Sequence, residues 1–201
     1  MKLGLFGGTF DPPHVGHLMI MSQVADVLEL DIVMMIPCAV PPHDKVPIAS
    51  FEQRVEMCKM SLSEFDDAKT KFIVNDIEGE LEEPSYTWRT ITEIDEVYSK
   101  HGVKAEMFLI LGTDEYVALP NWVHPGIILA RCDIAYVPRK GFSQSRTLME
   151  GERVELFDVE GAGDISSSMI RRRISENKTI SHLVHPDVER FILDQNIYGE
   201  N

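Results

Sequence analysis

Apolar residues in this chain fall into two patterns. One is short dense runs: Leu3 to Phe6, Ile32 to Ile36, Phe72 to Val74, Met107 to Leu111, Ile134 to Val137 and Val154 to Val159. Such runs predict buried strands. Met107 to Leu111 is the most apolar and predicts a central one. The other pattern recurs every three or four positions and predicts helices. Gly16 to Leu30 carries Leu18, Met21, Ala25 and Leu28 as one stripe. Ser50, three residues before Gln53, makes a capping box for a helix that opens at Phe51. Thr87 to Tyr98 reads as a helix, and Ile127 to Leu129 sits in a short one. Two more close the chain, about Ser167 to Glu176 and Pro186 to Gln195.

Strands and helices therefore alternate. That order predicts an α/β fold: an open, mainly parallel, doubly wound (Rossmann-like) sheet with helices on both faces. Ligands of such sheets bind beyond the carboxyl ends of the strands. No internal repeat, low-complexity tract or linker interrupts the alternation, so residues 1–201 read as one domain. Glu78 to Pro84 reads as a charged, flexible loop.

Composition narrows the function. The hydrophobic fraction of 44% and charged fraction of 26% are ordinary for a globular chain. No apolar run approaches the ~20 residues of a membrane span, and no signal peptide is visible. Cys38, Cys58 and Cys132 are scattered and odd in number, which fits reduced thiols in a cytoplasmic protein. A net charge of −14 argues against nucleic-acid and membrane partners.

The chemistry concentrates after the first strand, in Gly7-Gly8-Thr9-Phe10-Asp11-Pro12-Pro13-His14-Val15-Gly16-His17. The glycines let the backbone approach a bulky anion. The helix that follows offers free N–H groups and the positive end of its dipole. His14 and His17 stand on its first turn. Together these make a site for a phosphate chain, although Gly-Gly can be a plain turn and a surface His merely polar. No Gly-Lys-Ser/Thr follows, and the glycine spacing is wrong for a dinucleotide fingerprint. No Cys or carboxylate cluster accompanies the histidines, so no metal site on the chain is expected. Mg²⁺ would instead help to neutralise the polyanion.

A second cluster, Ser166-Ser167-Ser168 with Arg171, opens a late helix. Capping needs one serine; three, with an Arg one turn on, suggest a second phosphate clamp. Asp114, just after the Met107 to Leu111 run, suits either ribose hydroxyls or a helix cap. Trp122 suits either the core or the flat face of an aromatic ligand.

The first of these segments resembles the nucleotidyltransferase superfamily signature. Its His14, where the pantetheine-phosphate branch typically has Thr, makes it similar to bacterial nicotinate-nucleotide adenylyltransferases. Three further stretches match that family: Ile165 to Arg171, Gly112 to Trp122, and Pro84 to Thr90. The resemblance covers essentially the whole chain. It implies adenylyl transfer from ATP to nicotinate mononucleotide, giving deamido-NAD and pyrophosphate in NAD biosynthesis, with Mg²⁺ accompanying ATP. It implies catalytic roles for His14, His17 and Arg171. ATP would be bound by Gly7, Gly8, Thr9, Phe10, His14, His17, Gly112, Asp114, Ser166, Ser167, Ser168 and Arg171. Of these, Asp114 contacts the ribose, while the serine hydroxyls and Arg171 hold the β- and γ-phosphates. On the acceptor side Trp122 stacks on the pyridine ring. Backbone amides of Thr87, Trp88 and Val123 receive the nicotinate carboxylate, and Lys45 binds phosphate. The chain departs from the family's Pro-Pro-His-Lys, with Asp44 inserted before Lys45. Lys59 to Ser63 is similar to a synthetase Lys-Met-Ser-Lys-Ser loop, but its place inside a capped helix makes that a coincidence. Alternatives are another nucleotidyltransferase of this fold, such as a pantetheine-phosphate type, or a non-catalytic nucleotide sensor. A homo-oligomer is left open.

Overall fold

Alternate residues of each central strand enter opposite cores. Leu3 and Leu5, Met34 and Ile36, Met107, Leu109 and Leu111, and Ile134 and Tyr136 share one apolar cluster. Phe6, Val33 and Met35, Phe108 and Ile110, and Ala135 and Val137 share another. A strand buried on both faces reads as a continuous apolar run, the signature of a parallel sheet covered on two sides. The computed structural model describes residues 1–42, 46–65, 69–138, 147–157, 159 and 165–199. Its strands are β1 (Lys2–Gly8), β2 (Ile32–Pro37), β3 (Lys71–Val74), β4 (Glu106–Gly112), β5 (Cys132–Val137) and β6 (Val154–Leu156). They form one six-stranded sheet in the order β3-β2-β1-β4-β5-β6, and every neighbouring pair is parallel.

The helices are α1 (Val15–Leu28), α2 (Phe51–Leu62), α3 (Thr87–Lys100), α4 (Thr113–Ala118), α5 (Pro125–Leu129), α6 (Ser167–Ser175) and α7 (Pro186–Asp194). Residues of α3, α4 and α5 complete the first core, and those of α1 with Cys58 of α2 complete the second. A third cluster joins α6 and α7 to Ala49 and Met57. The capping box forms as the sequence predicts. Ser50 Oγ accepts from the Gln53 N–H at 3.2 Å and Gln53 Oε1 accepts from the Ser50 N–H at 2.9 Å. Gly4 of β1 is required by close packing, because a Cβ there would come within 2.7 Å of Leu30.

Three expectations change. The buried stripe of α1 is Met21, Val24, Ala25 and Leu28, and Leu18 is only half-buried, because at about 100° per residue position 18 lies at the edge of the face those four share. Strand β6 ends at Leu156, and Phe157 drops into the second core instead. The segment after β3 opens in a 3₁₀ turn, Ile77–Gly79, and Glu78 is pinned on both oxygens, so this part of the expected flexible loop is fixed. Helix α4 is new; at six residues it is too short to show a period.

The chain runs from β1 outward to β3, then returns to β4 on the other side of β1. The sheet's direction of growth reverses between β1 and β4, and the ligand crevice general to such sheets falls beyond the carboxyl ends of these strands, at Gly8 and Gly112. Among the described residues no helix is long and apolar enough to cross a membrane.

Candidate active site

The first phosphate-binding candidate sits on the β1 side of that crevice. A side chain at Gly7 would project into open space, whereas a Cβ at Gly8 would come within 2.9 Å of the Phe10 ring. Phe10 is held at φ 49°, a left-handed conformation unusual for a bulky residue. Burial holds it there: Phe10 is 2% exposed. Its ring meets Phe6 and His17 edge-on, with centroids 5.7 and 4.9 Å away. Phe10 therefore supports the site from beneath as a buried ring. His14 is the N-cap of α1 and His17 is its third residue. Their imidazoles stack at 3.6 Å between centroids. The His14 backbone N–H donates to His17 Nδ1 at 3.1 Å. That bond makes Nδ1 an acceptor and assigns the ring proton to Nε2.

The late clamp is tied directly to this loop, although the bonded partners lie 155 and 160 positions apart. Arg171 donates to the Asp11 carbonyl at 2.6 Å, and Ser167 Oγ donates to the Pro12 carbonyl at 2.8 Å. Ser166 is the N-cap, its hydroxyl accepting from the Met169 N–H. Ser168 is exposed at the helix start. The three serines thus divide into a cap, a tether and an exposed hydroxyl. The Asp11 carboxylate, 4% exposed, accepts from the Ile48 and Ala49 N–H groups and the Tyr198 hydroxyl, and lies 3.8 Å from Arg171.

On the β4 side, Gly112 ends the strand and caps α4, whose first turn carries the exposed Asp114. Trp122 follows a 3₁₀ turn, half-buried against the first core, as Trp88 is. Trp88 meets the His124 ring edge-on at 5.2 Å. Thr87 opens α3, whose N-cap, Tyr86, makes no side-chain cap. Val123 is 40% exposed. Lys45 lies outside the described residues. The Lys59 to Leu62 segment is inside α2, with Ser61 buried and donating to the Met57 carbonyl, as its capped helix predicts.

Local electrostatics suit an anion despite the acidic chain. No acidic residue occupies the first turn of α1, α3 or α6. Helix α4, which opens at Gly112, carries Asp114 and Glu115 there, while α2 carries Glu52 and α7 carries Asp187 with Glu189. Dipoles left uncompensated favour negative ligands.

Sequence reasoning missed Asp11, Arg54, Glu78 and Tyr198 as organisers. Arg54 is 1% exposed and donates to carbonyls of Thr9, Cys38, Ala39 and Ala49. An Arg on the buried side of a helix is the one local signal that could have found it, since such a charge must be satisfied. Cys38 is no nucleophile. Burial, and then the Glu78 carboxylate, push its thiol up to about 12.

Comparison with known proteins gives the family. A family model described as cytidylyltransferase-like spans residues 5–173. The chain is 36% identical over 200 residues to the "probable nicotinate-nucleotide adenylyltransferase" of Exiguobacterium sibiricum, covering 99% of this chain and 100% of that one. The chain belongs to the nicotinate-nucleotide adenylyltransferase family. Another member, from Caldicellulosiruptor saccharolyticus, is 35% identical with full coverage of both chains. Plasmodium falciparum nicotinic acid mononucleotide adenylyltransferase, solved in complex with NaAD, shares the fold at a TM-score of 0.80. It is 18% identical, and the match covers 98% of this chain and 97% of that one.

In this adenylyltransferase burial favours the neutral form of both histidines. Burial lowers His14 from 6.5 to about 4. His17 is lowered well below 6.5, by burial first and by His14 second. A folded-state value below the unfolded one means that the unfolded chain binds more protons under pH 6.5. Stability from these groups is therefore complete above about pH 6.5 and is lost as pH falls toward 4. For His14 the shift corresponds to about 3 kcal/mol. Denaturant titrations from pH 7 to 4.5 should show a smaller loss for His14→Gln than for the unmodified protein. Parallel curves would contradict the neutral assignment.

Proposed function

We propose that this protein transfers the adenylyl group of ATP to the 5′-phosphate of nicotinate mononucleotide, forming deamido-NAD and releasing pyrophosphate. The observation that carries this reading is the joining of two helix starts by the Arg171–Asp11 and Ser167–Pro12 hydrogen bonds. It supports a reading in which His14, His17 and Arg171 serve one phosphate-binding site at the β1/β4 switch point.

The acceptor phosphate is largely ionised at pH 7, so no general base is needed. One of its oxygens attacks the α-phosphorus of ATP in line. The bond from that phosphorus to the bridging oxygen breaks, and both electrons leave with pyrophosphate. Catalysis is then positioning and charge stabilisation. His17 offers Nε2–H to a phosphate oxygen. A guanidinium has five donors, so the bond to Asp11 leaves Arg171 capacity for the departing phosphates. Asp114 would meet the ribose, and Trp122 would stack on the pyridine ring. Among the described residues no three His, Cys, Asp or Glu side chains converge as a metal cage. Mg²⁺, which prefers phosphate and water ligands, would enter on the triphosphate and neutralise its charge.

A pyrophosphate-release assay with ATP, Mg²⁺ and a panel of acceptors tests this. Release is expected with the pyridine mononucleotide and not with pantetheine phosphate. The reverse preference would overturn the acceptor assignment. ATP binding without release for any acceptor would instead identify a nucleotide sensor.

A further inference from the structure

Two partly or fully buried charged groups, neither placed against a substrate above, grip one short stretch of backbone. Arg54 reaches the Thr9 carbonyl at 2.8 Å, the Cys38 carbonyl at 2.6 Å and the Ala39 carbonyl at 3.2 Å. Glu78 divides its carboxylate. One oxygen accepts from the Ala39 N–H at 3.2 Å, and the other from the Thr90 hydroxyl at 2.9 Å. Val40 and Ser85 add a second tie between the same segments, through an N–H bond in each direction. Thr9 belongs to the phosphate loop on β1. Thr90 lies in the first turn of α3, whose start is the acceptor-carboxylate candidate. Arg54, Ala39, Glu78 and Thr90 therefore make a continuous hydrogen-bonded path from one substrate's loop to the other's helix.

The sheet alone does not supply this tie. The phosphate loop leaves β1, in the middle of the sheet, while α3 follows β3 at its edge, with β2 between them. Eight residues, 79 to 86, separate the 3₁₀ residue Glu78 from the start of α3. In-line transfer needs the reacting atoms about 3–3.5 Å apart, and a misplacement of about 1 Å can cost about 10²-fold in rate. A group that fixes the loop relative to the helix is thus worth most for the ligand that spans both.

We propose that Arg54 and Glu78 are positioning residues that set the distance between the ATP loop and the acceptor helix through the backbone of residues 38–39. The proposal rests on the substrate reading above. Glu78 matters because its two oxygens accept from two different elements at once. Glutamine could keep both ties, its oxygen accepting from the Ala39 N–H and its NH₂ donating to the Thr90 hydroxyl, which accepts as well as donates, whereas leucine keeps neither.

The test uses Glu78→Leu and Thr90→Val, both close in volume to the native residues, their double variant, and Glu78→Gln as the conservative control. Thermal melts, kcat, and separate affinities for ATP, nicotinate mononucleotide and deamido-NAD are measured. Affinities for the two half-ligands should be little changed. Deamido-NAD binding and kcat should fall about 10-fold or more, since only these depend on the relative placement of the two halves. The double variant should be little worse than Glu78→Leu alone, because both changes break one tie, and Glu78→Gln should keep near-normal kcat. A lowered melting temperature with unchanged kcat per folded molecule and unchanged deamido-NAD affinity would overturn the proposal and leave a stabilising role. Additive losses in the double variant would also overturn it. Absence of turnover by the unmodified protein would overturn the substrate reading, and this proposal with it. Normal turnover beside unimpaired Glu78→Leu and Thr90→Val variants overturns the proposal alone.

Discussion

His17→Ala is expected to lower kcat by about 10²–10³-fold while the protein stays folded, the range typical for removing one preorganised donor to developing charge. The local structure explains why one residue should matter so much. The His17 ring is enclosed by Phe10, Phe6 and His14, and its Nδ1 is fixed by the His14 N–H. It therefore presents Nε2–H without reorganisation, in a site where burial keeps the ring neutral. Alanine removes the donor and part of the support of Phe10, so some stability is lost too, about 1–2 kcal/mol by analogy with ordinary core truncations. The two effects separate cleanly. A donor role predicts a large fall in kcat per folded molecule. A packing role predicts a lowered melting temperature with normal turnover. Unchanged kcat in a well-folded His17→Ala variant would remove His17 from the catalytic set.

The central strands were readable because burial on both faces makes them continuous apolar runs, as in Met107 to Leu111. The helix at Phe51 was readable because its cap is local, Ser50 to Gln53. The phosphate loop was readable for the same reason: its glycines and histidines lie within eleven residues. What joins the site is not local. Asp11 binds Ile48, Ala49 and Tyr198, the last 187 positions away, and no pattern along the chain announces such a partner. Arg54 carried only the weak signal of a charge on a helix, and Glu78 looked like one more acid in an acidic chain. The serines at 166–168 showed a surplus of hydroxyls but not their division of labour. That division depends on where the Pro12 carbonyl lies.

The acceptor pocket should distinguish acid from amide by about 10-fold to several hundred-fold in kcat/KM. Nicotinate carries a carboxylate, and nicotinamide carries a neutral amide of nearly the same shape. The group proposed to receive it is the start of α3, a fourteen-residue helix without a side-chain cap and without an acidic first-turn residue. Such an end presents N–H donors only. The amide would turn its NH₂ toward at least one of them and leave it unpaired, at about 1–3 kcal/mol. It would also forgo the attraction of the helix dipole for negative charge, about 0.3–1 kcal/mol. Trp122, half-buried against the first core, would offer a face that accepts either ring. Trp122→Ala should therefore raise KM for both mononucleotides and leave their ratio nearly intact. Parallel kinetics with the two acceptors, for the unmodified protein and for Trp122→Ala, check both statements. Equal kcat/KM for acid and amide in the unmodified protein would show that the carboxylate is not received at the start of α3. A changed ratio in Trp122→Ala would show that the ring, and not the helix end, carries the discrimination.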